Sequence, residues 1–500
     1  MKRYRILKFL SILFIILFTV AGCSKITPVA PVSKIGSNDR EMVYTTTDIP
    51  TTLSPSSYIK TREEDIIASL FEGLIEVTEN GVIAPALAEG WNVSDDGIKY
   101  SFLIRKDIYW SDGSKITAKD FEKYFEYLLS KDNNNYTTDE LYSIYGVEKY
   151  RNGESTFKDV GIVAKDERHL NINLNRKDPD FLKKLTKPEY RLRNPEDELA
   201  NYINSYRNIR YSGPYVISKI DNNDSISLTK NKEYSLKFSG AKNIKIVKSK
   251  DNIKDFARLS TNKVDLAYNP PYTVFEESSL RSNTYNFESS RLEYMVFNST
   301  KGLSQYLDFR KGIYIALSMS IMESYLPKNN FATVDIRPIT KAEVEESVFY
   351  KKENKQVYSE ETKNKNFEMS SKYLKGIPNL TKDNLRIIAK DSFENKKLAE
   401  FIKAELEKYK INVSYKFYNK DELEEALKAG NFNIFLGEVN LEEENINDTI
   451  KSIERYYRDF DYSIFSLYNE NNLWSKSDNL KNVYIDANGN IILKKMLYIG

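Results

Sequence analysis

The clearest periodicity in the chain runs from Leu385 to Leu436. Leu385-Arg386-Ile387-Ile388-Ala389 reads as a strand, and Leu398, Phe401, Ile402, Leu406 and Tyr409 then recur on one helix face. Val413-Ser414-Tyr415-Lys416-Phe417 is a second strand. Leu423, Ala426 and Leu427 mark a second helix, which Gly430 closes before a third strand at Phe432–Leu436. Strand, helix, strand, helix, strand predicts a parallel sheet with right-handed crossovers, so at least one lobe is α/β. Such sheets bind ligands beyond the carboxyl ends of their strands, which directs attention to Gly437 onward.

A second alternation begins at Ile98, where IKYSFLI switches between apolar and polar as a half-buried strand does. Turn residues Ser111, Asp112 and Gly113 follow, and Thr117-Ala118-Lys119-Asp120 reads as a capping box. There the threonine hydroxyl is expected to accept from an orphan helix N–H, with the acid at the positive helix end. Phe121, Tyr124, Phe125, Leu128 and Leu129 form the core-facing stripe of the helix. In HLNINLN, Leu170, Ile172 and Leu174 take the apolar face, so His169 points outward and is not expected to ligate a metal.

The N-terminus is of another kind. Lys2, Arg3, Arg5 and Lys8 precede the apolar run Phe9–Val20. Twelve helical residues reach roughly 18 Å, short of the ~30 Å hydrocarbon core, so residues 1–23 read as a secretory signal rather than a span. Val20-Ala21-Gly22-Cys23 resembles the lipobox of bacterial lipoproteins, and the chain's single cysteine stands at its modification position. The resemblance implies a lipid on Cys23 and attachment to the extracytoplasmic face of the bacterial cell membrane. Residues 24–40, polar and containing Pro and Ser, read as a flexible tether.

Composition narrows the chemistry. The 500 residues carry 74 Lys+Arg against 72 Asp+Glu, a net +2, and loss of the four basic signal residues makes that −2. Nothing in that balance favours a nucleic-acid backbone. One cysteine and one histidine exclude a disulfide framework, a Cys-rich zinc site and histidine-based triads. No Gly-x-Gly-x-x-Gly or Walker-type segment is present. No cofactor is expected. Glu442-Glu443-Glu444 reads as a solvated run.

From residue 53 to 121 the sequence becomes specific. Leu53-x-Pro55, Phe71-Glu72-Gly73-Leu74, Pro85-Ala86-Leu87-Ala88-Glu89, Trp91, Ser94-Asp95-Asp96-Gly97, Trp110-Ser111-Asp112-Gly113 and Thr117-Ala118-x-Asp120 follow in order. Ser212-Gly213-Pro214-Tyr215-Val216, Asn262-Lys263-Val264-Asp265-Leu266 and Phe297-Asn298 continue the pattern. This resembles the extracellular solute-binding proteins of oligopeptide/dipeptide ABC importers (family 5), in their lipoprotein form. Little matches between Phe331 and Leu380. The segment from Leu436 to Ile464 lacks the tryptophan and Asp-Pro of the family's ligand loop, and with them the aspartate that pairs with a peptide amine.

The resemblance implies an α/β, two-lobed, periplasmic-binding-protein-like fold of type II, with mixed sheets and an extra subdomain in the first lobe. The expected boundaries are a first lobe at 41–267, with its subdomain at about 54–168, a second lobe at 268–462, and a return to the first lobe at 463–500. It implies a binding protein, not an enzyme, monomeric, that captures oligopeptides and passes them to ABC-transporter permease subunits. Two crossings are expected, near Ala267-Tyr268-Asn269 and Tyr462-Ser463-Ile464. Ligand-facing candidates are Tyr268, Asn269, Tyr294, Asn298, Gly437, Glu438 and Asn440, with Glu438 replacing the missing amine-binding acid. The alternative reading is a receptor-like lipoprotein that keeps the scaffold and takes a non-peptide ligand or a signalling role.

Overall fold

The computed structural model describes residues 40–55, 61–133, 139–221, 224–270, 283–317, 332–339, 360–440 and 461–499. Cys23, most of the tether and Glu442-Glu443-Glu444 lie outside the described residues.

The first lobe is built on strands β1 (Met42–Thr46), β8 (Tyr215–Asp221), β9 (Ser225–Lys230), β10 (Asn243–Lys248) and β11 (Leu266–Tyr268), the other strands being given in turn below. β1 is central, parallel to both β10 and β11, and β9 and β8 continue antiparallel beyond β10. Tyr44, Ile226, Leu228, Ile244, Ile246 and Leu266 bury the sheet face against the helix Thr61–Leu70 and the C-terminal residues Ile491–Met496. Buried Asp265 stitches these parts together, accepting from Val43 N–H, Ser477 Oγ and Asn479 Nδ2.

A separate core is inserted between β1 and β8. It contains the hairpin β2 (Ile75–Val77) and β3 (Ile83–Pro85), and an antiparallel sheet of β4 (Ala88–Val93), β5 (Lys99–Ile104), β6 (Ile162–Ala164) and β7 (His169–Asn173). The helix Ala118–Leu128 packs its Phe121, Tyr124, Phe125 and Leu128 into this core, as the periodicity predicted. The capping box expected there forms, with Asp120 as its acid. The Asp120 carboxylate accepts from the Thr117 N–H at 2.8 Å and lies 2.7 Å from the Thr117 hydroxyl. This core runs from Leu74 to Leu192, starting and ending later than 54–168.

The second lobe contains β14 (Asn384–Lys390), β15 (Asn412–Tyr418) and β16 (Ile434–Asn440), with helices Phe393–Glu407 and Lys420–Ala429 between them. β14 is parallel to β15 and to β16. Gly430 ends the second helix at φ 65°, the left-handed turn a glycine takes without strain.

Two long strands join the lobes. β12 (Thr284–Phe297) and β17 (Ile464–Lys476) are antiparallel to each other over most of their length, and β13 (Ala332–Pro338) pairs with β17. β17 lies against β11 through Trp474–Lys476, while β12 lies against β16 through Arg291–Phe297. A continuous sheet of 11 strands results, passing from one hydrophobic core to the other through β12 and β17. The crossings are thus the bodies of these strands. Asn269, just after β11, and Tyr462, just before β17, both take left-handed backbone at φ 54°.

A polar patch on the crossing strands

A strand buried on both faces is expected to be apolar. β17 is so buried, yet Asn469, Glu470, Asn471 and Asn472 follow one another in its middle. Buried polar residues are the informative kind. These four lie between Leu467-Tyr468 in the second-lobe core and Trp474 in the first-lobe core, that is, where the sheet passes between lobes.

β12 supplies the opposing groups. Arg291 stands opposite Glu470, and its Nη1 donates to Glu470 Oε2 at 3.0 Å. Arg291 Nη2 reaches the Tyr268 hydroxyl at 3.4 Å, and that hydroxyl donates to Asn472 Oδ1 at 2.6 Å. Glu293, two residues on, faces Glu438 across the β12–β16 ladder. Glu438 accepts from Lys390 Nζ at 2.6 Å. The patch thus runs from Tyr268 at the first-lobe edge to Glu438 and Lys390 at the carboxyl ends of β16 and β14.

Its electrostatics are set by burial. Burial pushes Glu293 well above the usual carboxylate range, and the Glu470 and Glu438 charges push it the same way. Burial likewise raises Glu470, against the opposing pull of Arg291. Burial alone would lower Arg291; Tyr268 and Glu470 more than offset it, and the guanidinium stays charged. On the first-lobe side, the Arg62 guanidinium lies over the rings of Tyr268 and Trp474, 5.1 and 4.7 Å from their centroids, and is tied to buried Asp65.

The residues singled out from sequence fall into two groups. Tyr268 and Glu438 belong to the patch. Asn269 follows β11 with its N–H on Leu473 O at 2.9 Å, and Asn440 closes β16 opposite Arg291. Tyr294, Gly437 and Asn298 are placed elsewhere. Tyr294 packs edge-on against Phe435 in the core beneath the helix Lys420–Ala429, with its ring over Gly437. Asn298 Nδ2 donates to Gly430 O and Phe432 O at 3.2 and 3.1 Å, and its Oδ1 accepts from the Thr300 hydroxyl at 2.6 Å. That amide fastens the turn after β12. His169 is exposed and lies 2.7 Å from Asp166, and among the described residues no cluster of three or more acids, His or Cys could hold a metal ion.

Arg291, Glu293, Glu470 and Asn472 were not foreseen. For Glu470 and Asn472 the signal was the polar tetrad of residues 469–472; Arg291 and Glu293 had no such signal.

The sequence model of the bacterial extracellular solute-binding proteins, family 5 Middle, matches residues 82–448. The chain belongs to this family. Among relatives, the dipeptide-binding protein DppE of Bacillus subtilis is 26% identical over 344 residues, 66% of this chain and 62% of that protein. A probable deoxycholate-binding periplasmic protein of Escherichia coli, YgiS, is 24% identical over 308 residues, 59% of this chain and 55% of that one. The matched segments therefore span less than two thirds of these relatives. In structure, an oligopeptide-binding protein from Borrelia burgdorferi aligns with TM-score 0.61 at 21% identity, covering 91% of this chain and 99% of that one. Haemophilus influenzae OppA in complex with RPPGFSPFR aligns with TM-score 0.61 at 18% identity, covering 92% and 99%. The family-5 chain accordingly has the two-lobed α/β fold of periplasmic binding proteins, with mixed sheets, and its family is one of binding proteins rather than enzymes.

Proposed function

We propose that this family-5 chain is the substrate-binding component of an ABC importer, lipid-anchored through Cys23 on the extracytoplasmic face, and that it captures oligopeptides between its lobes for a membrane permease. The buried polar run on β17, opposed by Arg291 and Glu293 where the sheet passes between two separate cores, carries this reading. A fold that needed only stability would bury apolar side chains there. Hinged lobes that both contact a ligand are driven toward the closed state by it. An extended peptide offers backbone groups to such a surface while its side chains vary. The cargo-facing set is Tyr268, Asn269, Glu438 and Asn440, joined by Arg291, Glu293, Glu470 and Asn472. Tyr294, Gly437 and Asn298 shape the strand that presents them.

The test is retention of a random peptide pool by the purified mature chain, read by native mass spectrometry and by thermal melting. Bound peptides of two to about ten residues, with a rise in Tm, are expected. An unchanged Tm with no retained peptide, alongside retention of a bile salt such as deoxycholate, would overturn the peptide assignment and favour the non-peptide alternative.

A further inference from the structure

A cavity of about 640 Å³ lies within the first lobe, where three parts of the chain meet. Glu76 of β2 and Arg105, just after β5, belong to the inserted core. Residues 235–239, between β9 and β10, form a second wall, and Tyr484, Lys494 and Lys495 form a third. Hydrogen bonds fix these walls to one another. Ser235 Oγ donates to Asp107 O at 2.7 Å, Ser239 N–H to Lys494 O at 2.8 Å, and Lys495 Nζ to Glu76 Oε1 at 2.8 Å. None of the lining residues stands on β12, β16 or β17, so the cavity is distinct from the patch between the lobes.

The charges around it do not balance. Arg105, Lys237, Lys494 and Lys495 line it against one carboxylate, Glu76. Lys494 is buried and spends its N–H groups on Glu72, Glu76 and the Tyr234 hydroxyl. Lys495 is paired with Glu76 and lies over the Tyr484 ring, 4.7 Å from its centroid. Arg105 Nε is anchored on Ala86 O at 2.7 Å, whereas among the described residues neither its Nη groups nor the Lys237 ammonium has a protein partner. The chain without its signal is slightly acidic, so this positive excess is local. Like charges gathered round one low-dielectric cavity repel each other and focus a positive potential into it. An anion relieves that. A guanidinium edge and ammonium groups with N–H to spare match the three oxygens and near-double charge of a phosphate ester. The volume falls within the roughly 300–1,000 Å³ of small-molecule sites.

We propose that this cavity is an anion site for a phosphate monoester, separate from the cargo cleft. Arg105, Lys237 and Lys495 hold the phosphate oxygens, and Lys494, pinned by Glu72 and Glu76, supplies a fixed positive potential. Leu236 and Tyr484 flank the organic part of the ester. An occupant touches the inserted core, the β9–β10 connection and the C-terminal return at once, so it stabilises their docking by mass action. The same chemistry is offered by a soluble phosphate ester and by the headgroup of phosphatidic acid. The inference does not depend on whether the cleft takes peptides.

The experiment is isothermal titration calorimetry and thermal melting of the purified mature chain with glycerol 1-phosphate, and with glycerol as the uncharged probe. A second arm measures co-sedimentation with phosphatidylcholine vesicles, with and without phosphatidic acid. Wild type is compared with Lys237→Glu, Arg105→Gln and Lys263→Glu, the last making the same charge change on an exposed lysine outside the cavity. Expected are saturable binding of glycerol 1-phosphate, a rise in Tm that glycerol does not give, and affinity weakened about tenfold in Lys237→Glu and in Arg105→Gln but not in Lys263→Glu. Lys237 is exposed, so its variant tests the site should Arg105→Gln misfold. Sedimentation with phosphatidic acid vesicles that is lost in Lys237→Glu, without binding of the soluble ester, upholds the site and assigns the lipid headgroup as its source. No binding in either arm, binding that survives in both cavity variants, or equal weakening in Lys263→Glu overturns the proposal.

Discussion

At the scale of single residues, buried charge is the main source of specificity and of risk. Glu72 is fully buried, yet Lys494, with Arg191 beside it, holds its carboxyl down to about 2 against the effect of burial. Glu72→Ala would leave Lys494 and Arg191 short of their shared partner. We expect a loss of about 3–5 kcal/mol in urea unfolding. Because folding depresses this carboxyl, its contribution is complete above its ordinary value of 4.5 and falls away as pH drops from there toward 2. Asp65 has the opposite sign: burial raises it to about 6, so the stability it confers is greatest below 3.8 and is lost as pH rises through 6. A urea midpoint series from pH 3 to 7 on wild type and Glu72→Gln should show a flatter acid limb in the variant. An unchanged acid limb would contradict the assignment. The Glu72 pairing was not legible in the sequence, because its partners stand 119 and 422 positions away.

At the scale of elements, the parallel second-lobe strands and the helix Ala118–Leu128 were legible because a single period governs each. Leu385, Ile387 and Ala389 are buried as expected, and so are Leu398, Ile402 and Leu406. β12 and β17 were not, because neither keeps one period. β17 carries the polar tetrad in its middle, and β12 shifts register twice against it, between Phe287 and Arg291 and between Glu293 and Tyr294. Gly437 was named for its place after the third strand, but its use was hidden: a Cβ there would overlap the Tyr294 ring. Gly437→Ala should therefore destabilise by about 1–3 kcal/mol in denaturant melts. The double variant with Tyr294→Leu should recover part of that loss, and strictly additive effects would argue against the contact. Asp120→Ala should cost about 1 kcal/mol by removing the acceptor for the Thr117 N–H and hydroxyl.

At the scale of the whole molecule, two lobes and the family were readable from blocks such as Trp110-Ser111-Asp112-Gly113, whose tryptophan proves to be core. The patch between the lobes was readable only in part. Tyr268 and Glu438 stood at recognisable positions, whereas Arg291, Glu293 and Glu470 become neighbours only once β12 is laid between β16 and β17. Anchorage belongs to this scale as well. Cys23→Ser should shift the protein from the membrane fraction to the medium or leave it unprocessed. Equal membrane retention after detergent-free washing would contradict the lipid assignment.

The two register shifts of β12 bracket Arg291 and Glu293. A ladder with displaced rungs is locally disrupted and more strongly twisted there. The same few residues lie where the sheet passes between the two cores and carry the buried acid Glu293. Any rotation of one half against the other would have to be taken up across these irregular rungs, so the geometry of the buried acid would change with it.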